Sequence, residues 1–150
     1  MIKLTDLLFE GITYTKWIQP TLDELRQEYK VEHEKKGLGL FKTFNDFKKA
    51  VDNAKMESIS KSADSKISNR SNTRSFDELL DLIKGYASYP KYRNEDTLKN
   101  LYSRFKTNKP MTMPMVLEYK NKSRRIFAGN TRMDIAFQLG ITPKVLILLV

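Results

Sequence analysis

The stretch RRIFAGNTRMDIAFQLGITPKVLILLV, Arg124 to Val150, changes its hydrophobic period twice. Ile126, Phe127 and Ala128 make a short apolar run that reads as a strand. From Asn130 the pattern turns helical: Met133, Ala136, Phe137 and Leu139 turn inward, and Gly140 stands where a C′ glycine belongs. The six aliphatic residues VLILLV then read as a buried strand and are too few to cross a membrane. Upstream, Met113 to Tyr119 reads as a strand beginning near Pro114, and Asn121-Lys122 as the turn that returns Arg124–Ala128 antiparallel to it. The segment before this hairpin is a helix, with Asn94 as N-cap and Leu98, Leu101, Tyr102 and Phe105 on one face.

Further toward the N-terminus the pattern stays helical. Ser75 with Glu78 spells a capping box for a helix carrying Leu79, Leu82 and Ile83, which Gly85 can end. Thr21 with Glu24 spells another, for a helix running to about Lys35. A further helix is expected over Thr43–Met56, with Phe44, Phe47, Val51 and Ala54 on one side, and a short amphipathic helix around Leu4, Leu7 and Leu8. Between these parts, Ser58 to Ser75 holds seven serines and no aromatic residue. It reads either as a flexible linker or as a polar loop in which Ile59, Ile67, Asn69 and Arg70 are ordered by a bound phosphate. The expected architecture is α+β: a small mixed sheet with flanking helices, preceded by a helical N-terminal extension. Its parts are residues 1–57, a serine-rich loop or linker at 58–75, and a compact unit at 76–150.

Composition sets the outer limits. A chain of 150 residues supports one modest core. Without cysteine it has no disulfide, thiolate chemistry or Cys-ligated metal. Its opening, MIKLTDLLFEGI, lacks the pattern of a signal peptide, so a cytoplasmic location is the simplest expectation. The net charge is +9. Between Lys91 and Arg132 there are eleven Lys or Arg against three acids, which places most of that excess in one segment. Such confinement suits a polyanion. Lys91, Lys122, Arg124 and Arg125 are the candidate nucleic-acid contacts, with Tyr92 able to stack on a base.

The junction Gly129-Asn130-Thr131-Arg132 is where chemistry is most concentrated. Amides at a helix start, with the helix dipole, form an anion site. A glycine lets a ligand approach the backbone, Thr131 can add a hydroxyl, and Arg132 can set a planar guanidinium against phosphate. The alternative is structural: Gly129 serves a tight turn, Asn130 or Thr131 only caps, and Arg132 pairs with a surface acid.

These residues carry a resemblance. YPKYR (Tyr89–Arg93), EDTLKNLYSRF, PMTMPMVLEY (Pro110–Tyr119), AGNTRMDIAFQLGI (Ala128–Ile141) and KVLILLV follow the order of a ParB/sulfiredoxin superfamily domain, over about residues 76–150. The resemblance implies that Gly129, Asn130, Thr131 and Arg132 form a phosphate seat, with Arg93 as a second contact. It implies a nucleotide or nucleic acid as partner, and it is compatible with a nucleotide and Mg²⁺ as cofactors. Metal-dependent nuclease or small-molecule kinase activity is the alternative, and a non-catalytic partner-binding protein a third. The departures restrict it. The signature loop has no cysteine, which excludes sulfiredoxin chemistry. Asn130 stands where ParB-like members carry a glutamate, Met133 stands where they carry a second arginine, and no helix-turn-helix follows the last strand.

Asp134 is the candidate catalytic acid: it points away from Arg132 on the helix but can reach a metal from the first turn, and the other carboxylates of the signature region are Glu118 and Asp96. His33, between Glu32 and Glu34, reads as a solvated helix residue more readily than as a metal ligand. Asp64 and Asp77 have no visible partner, and Ser68 and Ser71 have no activating base in the sequence.

Overall fold

The structure, a computed structural model, describes residues 14–32, 39–85 and 95–150. Expectations for Leu4–Leu8, His33, Tyr89, Lys91, Tyr92, Arg93 and the Asn94 cap fall outside them. In chain order the described elements are β1 (Trp17–Ile18), α1 (Leu22–Val31), α2 (Phe44–Asp52), β2 (Lys55–Ser58), α3 (Lys61–Asp64), β3 (Ile67–Ser68) and α4 (Phe76–Gly85). They continue as α5 (Glu95–Lys106), β4 (Met111–Thr112), β5 (Met115–Glu118), β6 (Arg124–Ala128), α6 (Asn130–Gln138) and β7 (Lys144–Leu149). The fold is α+β with a mixed sheet and a helical N-terminal region.

The main sheet has the order β2-β7-β5-β6-β3. β5 pairs antiparallel with β6 as a hairpin and parallel with β7, and α6 makes the crossover between β6 and β7. The sheet extends across the expected linker. β2 pairs antiparallel with β7 at one edge, and β3 pairs parallel with β6 at the other. The helix expected over Thr43–Met56 stops at Asp52 because Lys55–Ser58 takes the open hydrogen-bonding edge of β7 instead. Serine content therefore did not mark disorder here: Ile59 and Ile67 are both buried against Val145 and Ile147.

β7 is aliphatic from Val145 to Leu148 because both its faces are covered there. Leu146 and Leu148 meet Leu25 of α1 and Phe47 and Val51 of α2. Val145 and Ile147 meet Met133 and Phe137 of α6. Strands buried on both sides lose the alternation that a half-exposed strand keeps. A third cluster joins Leu79 and Ile83 of α4, Leu98 and Phe105 of α5, and Ile135 and Ala136 of α6. Helix α6 thus lies between two cores, and Met133, Asp134, Ile135 and Ala136 are buried in succession. Helical spacing alone assigned it one inward face and missed Ile135.

Helix starts follow the sequence closely. Thr21 and Glu24 form a full capping box. Ser75 makes half of one: its hydroxyl accepts the Glu78 amide at 3.2 Å, while the Glu78 carboxylate accepts the amide of Arg74 at 2.9 Å. Among the described residues no helix is long and apolar enough to cross a membrane.

Two measurements test this packing. Phe47 is fully buried, its ring 5.2 Å from that of Phe41 and 5.5 Å from that of Phe127. Phe47→Ala should cost about 3–5 kcal/mol in urea unfolding. A loss below about 1 kcal/mol, the size of a surface change, would show that α2 does not seat on the sheet. Burial also pushes the phenols of Tyr14 and Tyr102 up to about 12. An unfolded phenol ionises near 10, so above that pH the unfolded state sheds protons that the folded state keeps. Stability should be whole below pH 10 and fall toward pH 12, with phenolate absorbance rising as the chain unfolds. Flat stability across this range would contradict the burial of both rings.

Candidate functional site

The junction between β6 and α6 forms as the sequence suggests. A register irregularity between Met115 and Val116 turns Phe127 and Ala128 into the same core cluster. Gly129 then enters α6 as its N-cap with φ +95°, a conformation that costs a side chain steric strain. A Cβ there would lie 2.7 Å from Pro114 Cβ and 2.9 Å from Arg132 Nη2. The glycine is thus required by close approach of protein to protein, not by room for a ligand. Arg132 Nη1 donates to the Thr112 carbonyl at 2.7 Å, which ties the helix start to β4. Gly129 offers α6 no side-chain cap, and no acid lies in its first turn. In contrast, Thr21, Thr43 and Ser60 cap their helices with hydroxyl oxygens.

Asn130 and Asp134 have roles that the motif did not reveal. Arg70, from the serine-rich segment, runs its side chain fully enclosed against α6. Nε donates to Asp64 Oδ1 at 2.6 Å, and Nη2 donates to Asp134 Oδ1 at 2.6 Å and to Asp64 Oδ2 at 3.4 Å. Nη1 donates to the Asn130 carbonyl at 3.1 Å and to Asn130 Oδ1. A guanidinium carries five N–H donors, and all five are met. Asn130 Oδ1 also accepts the Ser71 amide at 3.1 Å, while its Nδ2 donates to the Asn69 carbonyl at 3.0 Å. The Asn130 side chain is thus a bracket for the loop.

Asp134 is 1% exposed. Its Oδ2 accepts from the Thr73 hydroxyl at 2.9 Å and the Thr73 amide at 3.4 Å. The Ser71 hydroxyl, which lies near both Asn130 Oδ1 and Asp134 Oδ2, has one proton and gives it to the closer Asp134. With both oxygens engaged and no route to solvent, Asp134 is an anchor for residues 70–73 and does not sit as the catalytic acid expected. Asp64, expected to be without a partner, is the other arm of the clasp. Ser71 donates its proton to a carboxylate already saturated by other donors, so it is not poised as a nucleophile. Tyr102 adds a buried hydroxyl with no hydrogen-bond partner among the described residues; burial first and the Asp134 charge second raise its phenol to about 12.

The described members of the expected nucleic-acid contacts, Lys122, Arg124 and Arg125, have different surroundings. Arg124 bridges three strands, donating to Glu57 of β2 and, at 3.1 Å, to Glu118 of β5. Its hydrogen bond holds the Glu57 carboxyl below the usual range, and the same bond raises the guanidinium. Arg125, on the opposite face of β6, meets the Asn69 side-chain amide; with that amide turned so that its oxygen faces the guanidinium, the oxygen accepts from Nη2 at 2.7 Å and Nε at 3.1 Å. Lys122 is exposed at the hairpin turn with φ +72°. Thr131 is half-buried in the first turn of α6. Of this basic segment, Arg124 is neutralised by acids, and Arg104 keeps its charge while donating to the Pro110 carbonyl at 2.5 Å.

Within Gly129–Asp134 no carboxylate is open to magnesium. It takes carboxylate oxygens, Asn130 has none, and the Asp134 oxygens are occupied. Among the described residues no group of three or more His, Asp or Glu side chains converges to hold a metal ion. Beside the start of α6, between residues 69–73 and α4, lies an open depression of about 770 Å³.

The clasp was only partly visible in the sequence. Ile59 and Ile67, isolated apolar residues in a serine-rich run, were the available signal that the run is packed. Nothing local connected Arg70 to Asp134. Comparison with protein-family models, with curated proteins and with solved structures finds no match to this chain.

Arg70→Ala would leave two buried carboxylates without their shared cation. It should destabilise the fold by about 3–5 kcal/mol in denaturant unfolding. Asp64→Asn, which keeps Arg70 paired with Asp134, should cost less. A cost of Arg70→Ala under about 1 kcal/mol, the range of surface changes, would mean that the clasp does not hold the loop.

Proposed function

We propose that the chain is a ParB-like phosphate-binding protein that takes a nucleotide or a nucleic-acid phosphate at the first turn of α6. The observation that carries this is the start of α6, where Gly129 supplies no side-chain acceptor and no acid occupies the turn. The amide donors of an α-helix's first turn have no intrahelical acceptor, and the helix dipole adds positive potential there. Thr131 and Arg132 stand in that same turn. The order of elements adds support, since α5, β5, β6, α6 and β7 follow one another as the ParB/sulfiredoxin resemblance requires. Cleavage or phosphoryl transfer has less support, because both call for carboxylates converging on a metal, and Asp134 is committed to Arg70, Ser71 and Thr73.

The reading is tested by titrating the protein with pyrophosphate in a calorimeter. Arg132→Ala should weaken binding about tenfold or more, as loss of a charge-assisted contact does. The same change removes the bond to the Thr112 carbonyl, so it should also cost about 1–3 kcal/mol of stability. Binding is therefore measured well below the variant's unfolding temperature. Equal affinity of the two proteins would overturn the reading.

A further inference from the structure

We propose that two copies of this chain join along the outer edge of β2, with a two-fold axis passing between their Met56 residues. β2 is terminal in the main sheet, and among the described residues no strand pairs with its outer side. An open edge presents unpaired amides and carbonyls, a template for another strand. Proteins blunt such edges with proline, bulges or charge. β2 has neither proline nor bulge: Lys55 to Ser58 pair with Ile147 to Lys144 in unbroken register. At its middle stands Met56, an apolar side chain left 54% exposed.

The phase of the hydrogen bonds decides what the edge offers. The Ile59 amide donates to the Pro143 carbonyl at 2.9 Å, one step beyond the paired run and in the same register. Bonds in an antiparallel ladder alternate along each strand. Lys55 and Glu57 therefore turn their backbone groups toward β7, and Met56 and Ser58 turn theirs outward. Leu146, opposite Met56, is consistent with this: its amide donates away from β2, to the Pro114 carbonyl at 2.9 Å. Now add a second β2, antiparallel about a two-fold axis. Centred on Met56, the pair exchanges two backbone hydrogen bonds between the methionines. It also sets Lys55 opposite Glu57 of the copy, twice by symmetry and at the closely spaced positions of the ladder. Centred on Lys55 or on Glu57, it sets like charges opposite each other, which destabilises a sheet. Centred on Ser58, it faces Glu57 with Ile59. The run Lys55-Met56-Glu57 is thus complementary to itself in one register, and that favours a second copy over an unrelated strand. Such an interface is isologous and closes at two copies. Glu57 already accepts from Arg124, at 3.2 Å through Oε1 and also through Oε2. A carboxylate has roughly four acceptor sites, so the lysine of the copy adds to that bond without replacing it. A contact one strand wide is small, and the dimer is accordingly weak and concentration-dependent.

The experiment is sedimentation equilibrium of the intact chain over a wide range of concentration. The parent should pass from monomer to dimer and no further. Met56→Pro removes the outward amide, a change that an edge strand tolerates on its open side, and should abolish the dimer. Lys55→Glu, an exposed change, turns two attractive cross-strand pairs into two repulsive ones and should weaken dimerisation at least about tenfold. Circular dichroism checks that each variant is folded; if Met56→Pro is not, Lys55→Glu and cross-linking carry the test. Cross-linking reads the register, since the chain has no cysteine of its own. In the proposed register two copies of Met56→Cys bring their Cα atoms to about 5.5 Å, within disulfide range. Two copies of Ser58→Cys stay about 14 Å apart, four strand residues, which is beyond it. With diamide as the oxidant that takes the two thiol hydrogens, Met56→Cys should couple at least about tenfold faster than Ser58→Cys. The proposal is overturned if the parent stays monomeric at every concentration, if it grows beyond a dimer, if Lys55→Glu dimerises as the parent does, or if the two cysteine variants couple at equal rates.

Discussion

A single buried guanidinium organises the side of the molecule that faces the candidate site. Arg70 reaches between Asp64 and Asp134 with no exposed side-chain surface. Burying three charges is expensive, and the attraction between them offsets that cost only when the geometry is good and the remaining donors and acceptors are met. Here they are met: Asn130, Ser71 and Thr73 supply the other bonds. The group carries two negative charges against one positive, so the hydroxyl and amide donors to Asp134 are needed to stabilise the excess. As a result a segment with almost no apolar surface of its own becomes a fixed wall. Loops on a rigid scaffold gain precision in this way, and the clasp is what gives residues 69–73 their scaffold.

The clasp depends in turn on α6 being held from several directions. The helix packs Met133 and Phe137 toward β7, and Ile135 and Ala136 toward α4 and α5. Asp134 sits among these apolar residues, where a carboxylate without partners would not be tolerated. The tight contact of Gly129 with Pro114 and the bond from Arg132 to Thr112 fix the helix start against the strand segment before β5. Helix position, loop position and the shape of the depression therefore follow from one set of contacts. Between the sheet's two edges, Arg124 performs a similar task by joining Glu57 and Glu118 across three strands.

The order of the elements was legible in the sequence, and in several cases so were their limits. Gly140 takes φ +73° after α6, as a C′ glycine does. The β5–β6 hairpin and its Lys122 turn fall where the alternation placed them. These are local signals: side-chain period, caps and turn residues act over a few positions. Misreadings came where distant chain segments compete. Lys55–Ser58 has helix-compatible residues, yet the open edge of β7, some ninety positions later, draws it into the sheet. Asn130 resembled a ligand contact, and its side chain instead holds Ser71 and Arg70 sixty positions earlier.

What the sequence determined by itself is the α+β class, the strand–glycine–helix junction at Gly129, and a net positive charge. Each is written in neighbouring residues or in composition. What only the tertiary structure decided is how the charges are used. Arg70 is paired with Asp64 and Asp134, and Arg124 with Glu57 and Glu118, while Glu78 and Asp81 line the depression. Ion pairing depends on which side chains come within a few ångströms after folding and on how much water remains around them. A one-dimensional count of charge contains neither quantity.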